Sequence, residues 1–155
     1  MTDQDWPLGS QETGDGPDRS PHQLLNPDAL APPVGFSHAV VAAPGRLVFV
    51  GGQTAHGADD ALPSGGMVEQ FEAACANVAT ALGAAGARPQ HLVSVQIFVT
   101  DAKAYRDALK EIGAAWRKHL GKHYPAMALF EIKGLFDPKA LVELMAVAVV
   151  PDAES

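Results

Sequence analysis

The residues of this chain that could do chemistry are six histidines, one cysteine and a few polar groups inside apolar segments. His119 and His123 stand four apart, the spacing with which two imidazoles share a metal on one helix face. Gly121 between them, Pro125 beyond them and the lack of an HExxH glutamate point instead to a solvated helix end. His22, His38, His56 and His91 show no ligand spacing, so neither a metal site nor a cofactor is expected. Cys75 falls on an apolar helical stripe, where a small buried hydrophobe is the default and a nucleophile the exception. Ser37 and His38 are adjacent, and neighbours on a strand point to opposite faces, so they are no Ser–His pair. Glu131 and Glu143 sit in otherwise apolar segments, each either on the polar lip of a cleft or facing solvent. Met127 and Met145 share those segments and read as soft core fillers. Gly51-Gly52-Gln53 closes an apolar run; its glycines either admit a ligand or neighbouring chain or serve a turn. No Gly-Lys-Ser/Thr and no GxGxxG is present, so this is not a phosphate loop.

The elements that must position these groups alternate in period. Residues 38–43 and 47–50 are β-branched runs joined by Ala-Pro-Gly-Arg and read as a hairpin. From Met67 the apolar positions fall at Phe71, Cys75, Val78 and Leu82, an amphipathic helix stopped by Gly83 and Gly86. Residues 92–100 alternate as a strand. A second helix carries Tyr105, Leu109, Ile112 and Trp116 on one stripe, and residues 126–132 and 141–149 are two more strands. The string ββαβαββ predicts a two-layer α+β sandwich with helices on one sheet face. Leu47, Phe49, Val95, Ile97, Val99, Leu129, Leu144, Val147 and Val149 cannot all lie under two helices. The surplus apolar face predicts a closed homo-oligomer.

A length of 155 residues with 47% hydrophobic and 19% charged residues bounds the chain to one globular domain. Residues 1–22 stand apart: five acids against the single Arg19 give −4 of the total charge of −7, with few apolar anchors. They read as a mobile acidic tail ahead of a domain over residues 23–155. The acidic balance and the scatter of 11 lysines and arginines, densest at Arg117, Lys118 and Lys122, argue against nucleic acid. No apolar run approaches the roughly 20 residues of a membrane span. No basic and apolar leader begins the chain, so a cytoplasmic protein is expected.

Six blocks follow in order over about residues 25–151: Pro33-Val-Gly-Phe-Ser-His-Ala39, Leu47-Val-Phe-Val-Gly-Gly-Gln53, the Asn77–Ala87 stretch, Val95-Gln-Ile-Phe-Val-Thr-Asp101, Tyr124-Pro-Ala-Met-Ala128 and Leu141-Val-Glu-Leu-Met-Ala-Val-Ala148. Together they resemble the RidA/YjgF family, also labelled endoribonuclease L-PSP. The resemblance implies a chorismate-mutase-like sandwich, trimeric around a barrel, with ligand clefts between subunits. It also implies a hydrolase of reactive enamines and imines. Carried onto this chain, the cleft would hold Phe36, Gly51, Gln53, Leu109, Tyr124, Met127, Ala128, Leu129 and Met145, with Glu143, Glu131 and Ser37 as candidate catalytic groups. The departures are specific. Where family deaminases carry a carboxylate-gripping arginine this chain has Met127, and where they carry a water-positioning glutamate it has Met145. Phe36 stands for a tyrosine, Gly51 for a serine and Leu109 for an asparagine, while Glu143 is kept. A thioether supplies neither charge nor strong donor, so the cleft should favour an apolar ligand over a small imino carboxylate. The expected partners are two further copies of the chain and a small molecule. The expected function is binding of that molecule, with or without hydrolysis; ribonuclease action ranks last.

Overall fold

The structure, a computed structural model, describes residues 19–152. Its elements are β1 (Gln23–Leu25), β2 (Ala39–Val41), β3 (Gly45–Gln53), α1 (Met67–Ala84), β4 (Leu92–Val99), α2 (Ala102–Asp107), α3 (Leu109–Leu120), β5 (Ala126–Glu131) and β6 (Val142–Pro151). Strands β3, β6, β4 and β5 form one sheet in that order, with β6 antiparallel to both neighbours and β5 parallel to β4. A parallel pair needs a crossover, and α2 and α3 supply it. The helices cover one face, which gives the two-layer α+β sandwich expected from the element order.

The expected hairpin between residues 38–43 and 47–50 does not form. Strand β2 pairs with β1 in a separate two-stranded ribbon, Leu24 opposite Val40, while β3 pairs with β6. Gly45 decides the second pairing. A Cβ there would lie 2.1 Å from the Val150 carbonyl oxygen, so β6 seats against β3 only because the residue is glycine.

Helix α1 forms as its stripe predicts, with Met67, Phe71, Cys75, Val78 and Leu82 all buried. Glu69 Oε2 accepts the Gly66 N–H at 2.8 Å and anchors the first turn. Gly83 lies inside the helix; the chain turns at Gly86, whose φ is +71°. The second helix is broken at Ala108 into α2 and α3, yet Tyr105, Ile112 and Trp116 keep one buried stripe. Asp101 caps α2, its Oδ1 accepting the Ala104 N–H at 3.0 Å.

Register sorts the sheet into two faces. Val48, Val50, Leu144, Ala146, Val95 and Ile97 are buried toward the helices. Of the nine apolar strand residues that could not all lie under the helices, Val95, Ile97, Val99 and Leu144 are covered, while Leu47 and Phe49 are not. Leu47, Phe49, Met145 and Phe130 are exposed on the other face, Phe49 at 75%. Phe98 and Phe130 stack there with centroids 5.5 Å apart.

The domain boundary also moves. Ser20 and His22, placed in the tail by the sequence, belong to the body. Ser20 Oγ donates to the Gln90 carbonyl at 2.9 Å. The buried His22 accepts the Ala43 N–H at Nδ1, which fixes its proton on Nε2 for the His91 and Val149 carbonyls at 3.0 Å. Residues 1–18 of the expected tail lie outside the described residues.

Candidate functional site

A cavity of about 170 Å³ opens where β5 meets the helices and the 33–37 loop. The loop is stitched to the start of β5. Ser37 N–H donates to the Pro125 carbonyl at 3.0 Å, and the buried Ser37 hydroxyl donates to the Tyr124 carbonyl at 2.7 Å. This holds Phe36 over the cavity, its ring edge-on to His38. Met127 and Leu129 line the floor beside Ile97, and Leu109 and Trp116 come from α3. Ala128 also borders the space, and Tyr105 of α2 closes its depth. The Trp116 indole N–H is engaged by the His123 carbonyl at 3.1 Å.

Five of the residues assigned by resemblance therefore meet in one cavity: Phe36, Leu109, Met127, Ala128 and Leu129. Tyr124 does not line it; its ring is buried and stacks on Trp116 at 6.5 Å. Met145 lies elsewhere. Gln96 pairs with Met145 and with Ala128, whereas Met127 pairs with Val95, one residue off. Met127 and Met145 thus occupy opposite faces of the same sheet. Met145 is 42% exposed on the open face, and it adds no wall to the cavity of its own chain.

Gly51 and Gly52 sit at an irregularity of register, both opposite the single residue Met145. Such a two-against-one bulge bends the strand. A Cβ on Gly52 would lie 1.8 Å from Glu143 Oε1, so this glycine admits the Glu143 carboxylate rather than serving a chain turn. Gln53 donates back to the Gly51 carbonyl at 3.2 Å. Glu143 therefore lies beside the bulge, on the face that carries Met145. Glu131 is a structural acceptor: its Oε1 takes the Ala102 N–H at 3.0 Å at the start of α2.

Each of the six histidines has a hydrogen-bond partner in the fold. Among the described residues no cluster of three histidine, cysteine or acidic groups could hold a metal ion. His119 bonds Glu72 at 3.3 Å, and Lys118 does so at 2.6 Å. Those two bonds, that from Lys118 first, hold the Glu72 carboxyl below its usual range. His123 is not on a solvated helix end. It is buried beyond α3, its Nε2 bonded to the Leu92 carbonyl at 2.7 Å, and desolvation pushes its pKa down to about 4. Cys75 is fully buried, and desolvation raises its thiol well above the usual range, which removes its nucleophilic form.

One polar chain was not legible in the sequence. Thr54 Oγ1 lies 2.6 Å from His56 Nδ1, and His56 Nε2 lies 2.9 Å from Asp137 Oδ2. With the carboxylate as acceptor, His56 donates from Nε2 to Asp137. Asn77 fixes the loop by donating to the Thr54 and His56 carbonyls at 2.8 and 2.9 Å. The Lys139 N–H, and then His56, hold the Asp137 carboxyl below its usual range. The chain clasps the loop after β3 to the loop before β6.

Comparison with known proteins agrees with this fold. The family described as Endoribonuclease L-PSP matches residues 26–150. A crystal structure of YyfB, a Rid-family protein from Yersinia pestis, has 30% identity and a TM-score of 0.74, covering 83% of this chain and 98% of that one. A member of the YjgF/YER057c/UK114 family from Mycobacterium tuberculosis has 30% identity and a TM-score of 0.55, covering 83% of this chain and 99% of its own. The mitochondrial protein MMF1 of Saccharomyces cerevisiae is 26% identical over 106 residues, 68% of this chain and 70% of that protein. With most of its length matched in sequence and its fold matched in structure, the chain belongs to the RidA/YjgF family of L-PSP-type proteins.

Proposed function

We propose that the chain is a homotrimer that binds a small, apolar metabolite in clefts between subunits. One observation carries the reading. The residues that the resemblance assigns to one cleft are split between two faces of the sheet, as a cleft shared between subunits requires. In this arrangement one subunit brings the cavity with Phe36, Leu109, Met127 and Leu129. Its neighbour brings Glu143 and Met145 from the open face, with Gly51 and Gln53 from the bulge beside them. The exposed Leu47, Phe49 and Phe130 supply the apolar area that such an assembly covers.

The ligand is apolar because the cavity offers no cation: none of its lining residues is lysine, arginine or histidine. A carboxylate there would be desolvated without a partner, which is costly. If the cleft is catalytic, Glu143 is the group disposed to activate water, as a divergent hydrolase without 2-aminoacrylate specificity. A purely binding or regulatory trimer is the second reading, and the engagement of Ser37 and Glu131 in structural bonds favours it. Ribonuclease action has the least support. Lys118 pairs with Glu72, so the densest basic group is partly neutralised. Among the described residues no helix is long and apolar enough to cross a membrane. The reading keeps the chain in the cytoplasm, although the yeast relative is named for the mitochondrion.

Light scattering tests the assembly. The wild-type protein should give about three times the 16.2 kDa chain mass, and Phe49→Glu, which sets a charge on the open face, should give the single-chain mass. Native mass spectrometry of the same preparation should show a small neutral molecule retained by the trimer. A wild-type monomer at micromolar concentration overturns the reading, as does rapid cleavage of a fluorogenic RNA.

A further inference from the structure

We propose that the Tyr105 hydroxyl is the polar anchor of the cavity, and that the ligand is an uncharged molecule with an apolar body and one carbonyl-type acceptor. This inference rests on the reading of the cavity as the ligand site and names the chemistry that the site selects. Ten residues line the space, and their side chains offer two conventional hydrogen-bond donors, Trp116 and Tyr105. The Trp116 N–H is already engaged by the His123 carbonyl. Tyr105 is only 7% exposed, and its hydroxyl has no hydrogen-bond partner among the described residues.

The hydroxyl is not among the fully enclosed polar atoms, so it stays reachable from the cavity and able to donate to a ligand acceptor there. The ring itself is fixed. It packs edge-on against Phe71 with centroids 5.7 Å apart, so the phenol is held in place without a polar partner. Burial also raises the phenol above its ordinary value, so it is a protonated donor at physiological pH. A neutral donor among Phe36, Leu109, Met127 and Leu129 suits a ketone, ester or amide oxygen. It does not suit a carboxylate, whose charge would meet no cation among the lining residues.

Three probes of similar shape test this on the full-length protein: acetophenone, ethylbenzene and benzoate, titrated calorimetrically against wild type and Tyr105→Phe. Acetophenone should bind wild type, and Tyr105→Phe should weaken it by about 2- to 10-fold, the range of one neutral hydrogen bond. Ethylbenzene should bind both proteins alike, and benzoate should not bind. Unchanged acetophenone affinity in Tyr105→Phe, equal weakening of both neutral probes, or benzoate binding as tightly as acetophenone overturns the proposal. Failure of both neutral probes to bind wild type refutes the cavity itself as the ligand site. A measurement independent of the variant is the infrared carbonyl stretch of acetophenone bound to wild type. A shift to lower frequency than in hydrocarbon solvent supports the tyrosine bond; an unshifted band refutes it.

Discussion

Acidification from pH 7 to 4 should destabilise this fold through the buried His123 ring. The imidazole is buried, donates to the Leu92 carbonyl at 2.7 Å, and has its pKa pushed down to about 4, first by desolvation and further by His22 and His91. In the unfolded chain the same group titrates near 6.5. As pH falls through 6.5 the unfolded chain takes up a proton that the folded chain refuses until about pH 4. The stability given by the neutral ring is therefore complete above about pH 6.5, is lost across the window down to about 4, and levels off below it. Each pH unit inside the window is worth about 1.4 kcal/mol, so the whole window is worth about 3 kcal/mol. Urea unfolding read by Trp116 fluorescence, at fixed protomer concentration, would measure it in wild type and His123→Gln. Glutamine keeps an N–H for Leu92 and cannot titrate. Wild type should lose about 3 kcal/mol more than the variant between pH 7 and 4. Equal pH slopes in the two proteins would refute the argument.

Deleting residues 1–18 should leave the melting temperature nearly unchanged, whereas deletion through His22 removes a ring that bonds Ala43, His91 and Val149 and should cost about 2 kcal/mol or more. Thermal melts of the two truncations check this, and coincident curves would contradict it. The wild-type protein should release little ammonia from 2-aminoacrylate generated in situ by serine dehydratase. Met127→Arg combined with Met145→Glu should raise the rate, each alone adding little because the two groups act as a unit. Since the two positions lie on opposite faces of one sheet, the gain should vanish when Phe49→Glu is added; its persistence in a monomer would sink the shared-cleft reading.

The layers of the fold were legible because they rest on local period. The stripe of α1 and the alternation of β4 are short-range patterns, and both formed. Partners were less legible. Ala-Pro-Gly-Arg looks like a turn, but pairing of β3 is settled by the tight approach of Val150 to Gly45, a hundred residues away. The candidate cleft was half legible. Resemblance named Phe36, Leu109 and Met127 together, yet the opposite facing of Met145 depends on cross-strand register, which has no local signature. His22 and His123 were hidden for another reason: their partners are backbone carbonyls, which every residue possesses. Tyr105 was read only as a core position, since the sequence carries no sign that its hydroxyl goes unmatched.

The placement of β6 bears on how the chain is made. Of the described strands this one is the last to be translated, yet it occupies an interior position between β3 and β4. Until it emerges from the ribosome, β3 and β4 have no common neighbour, and α1 has only part of its sheet to pack on. A nascent chain can form its helices early, since those contacts are local, but closing the sheet awaits ladders of long sequence separation. Leu47, Phe49 and Phe98 then spend synthesis on strands without their central partner, the state in which aggregation competes. Loss of β6 is therefore a harsher insult here than loss of β1, which pairs only with β2. A stop codon ahead of Val142 removes one strand of the four, yet it parts β3 from β4 and β5.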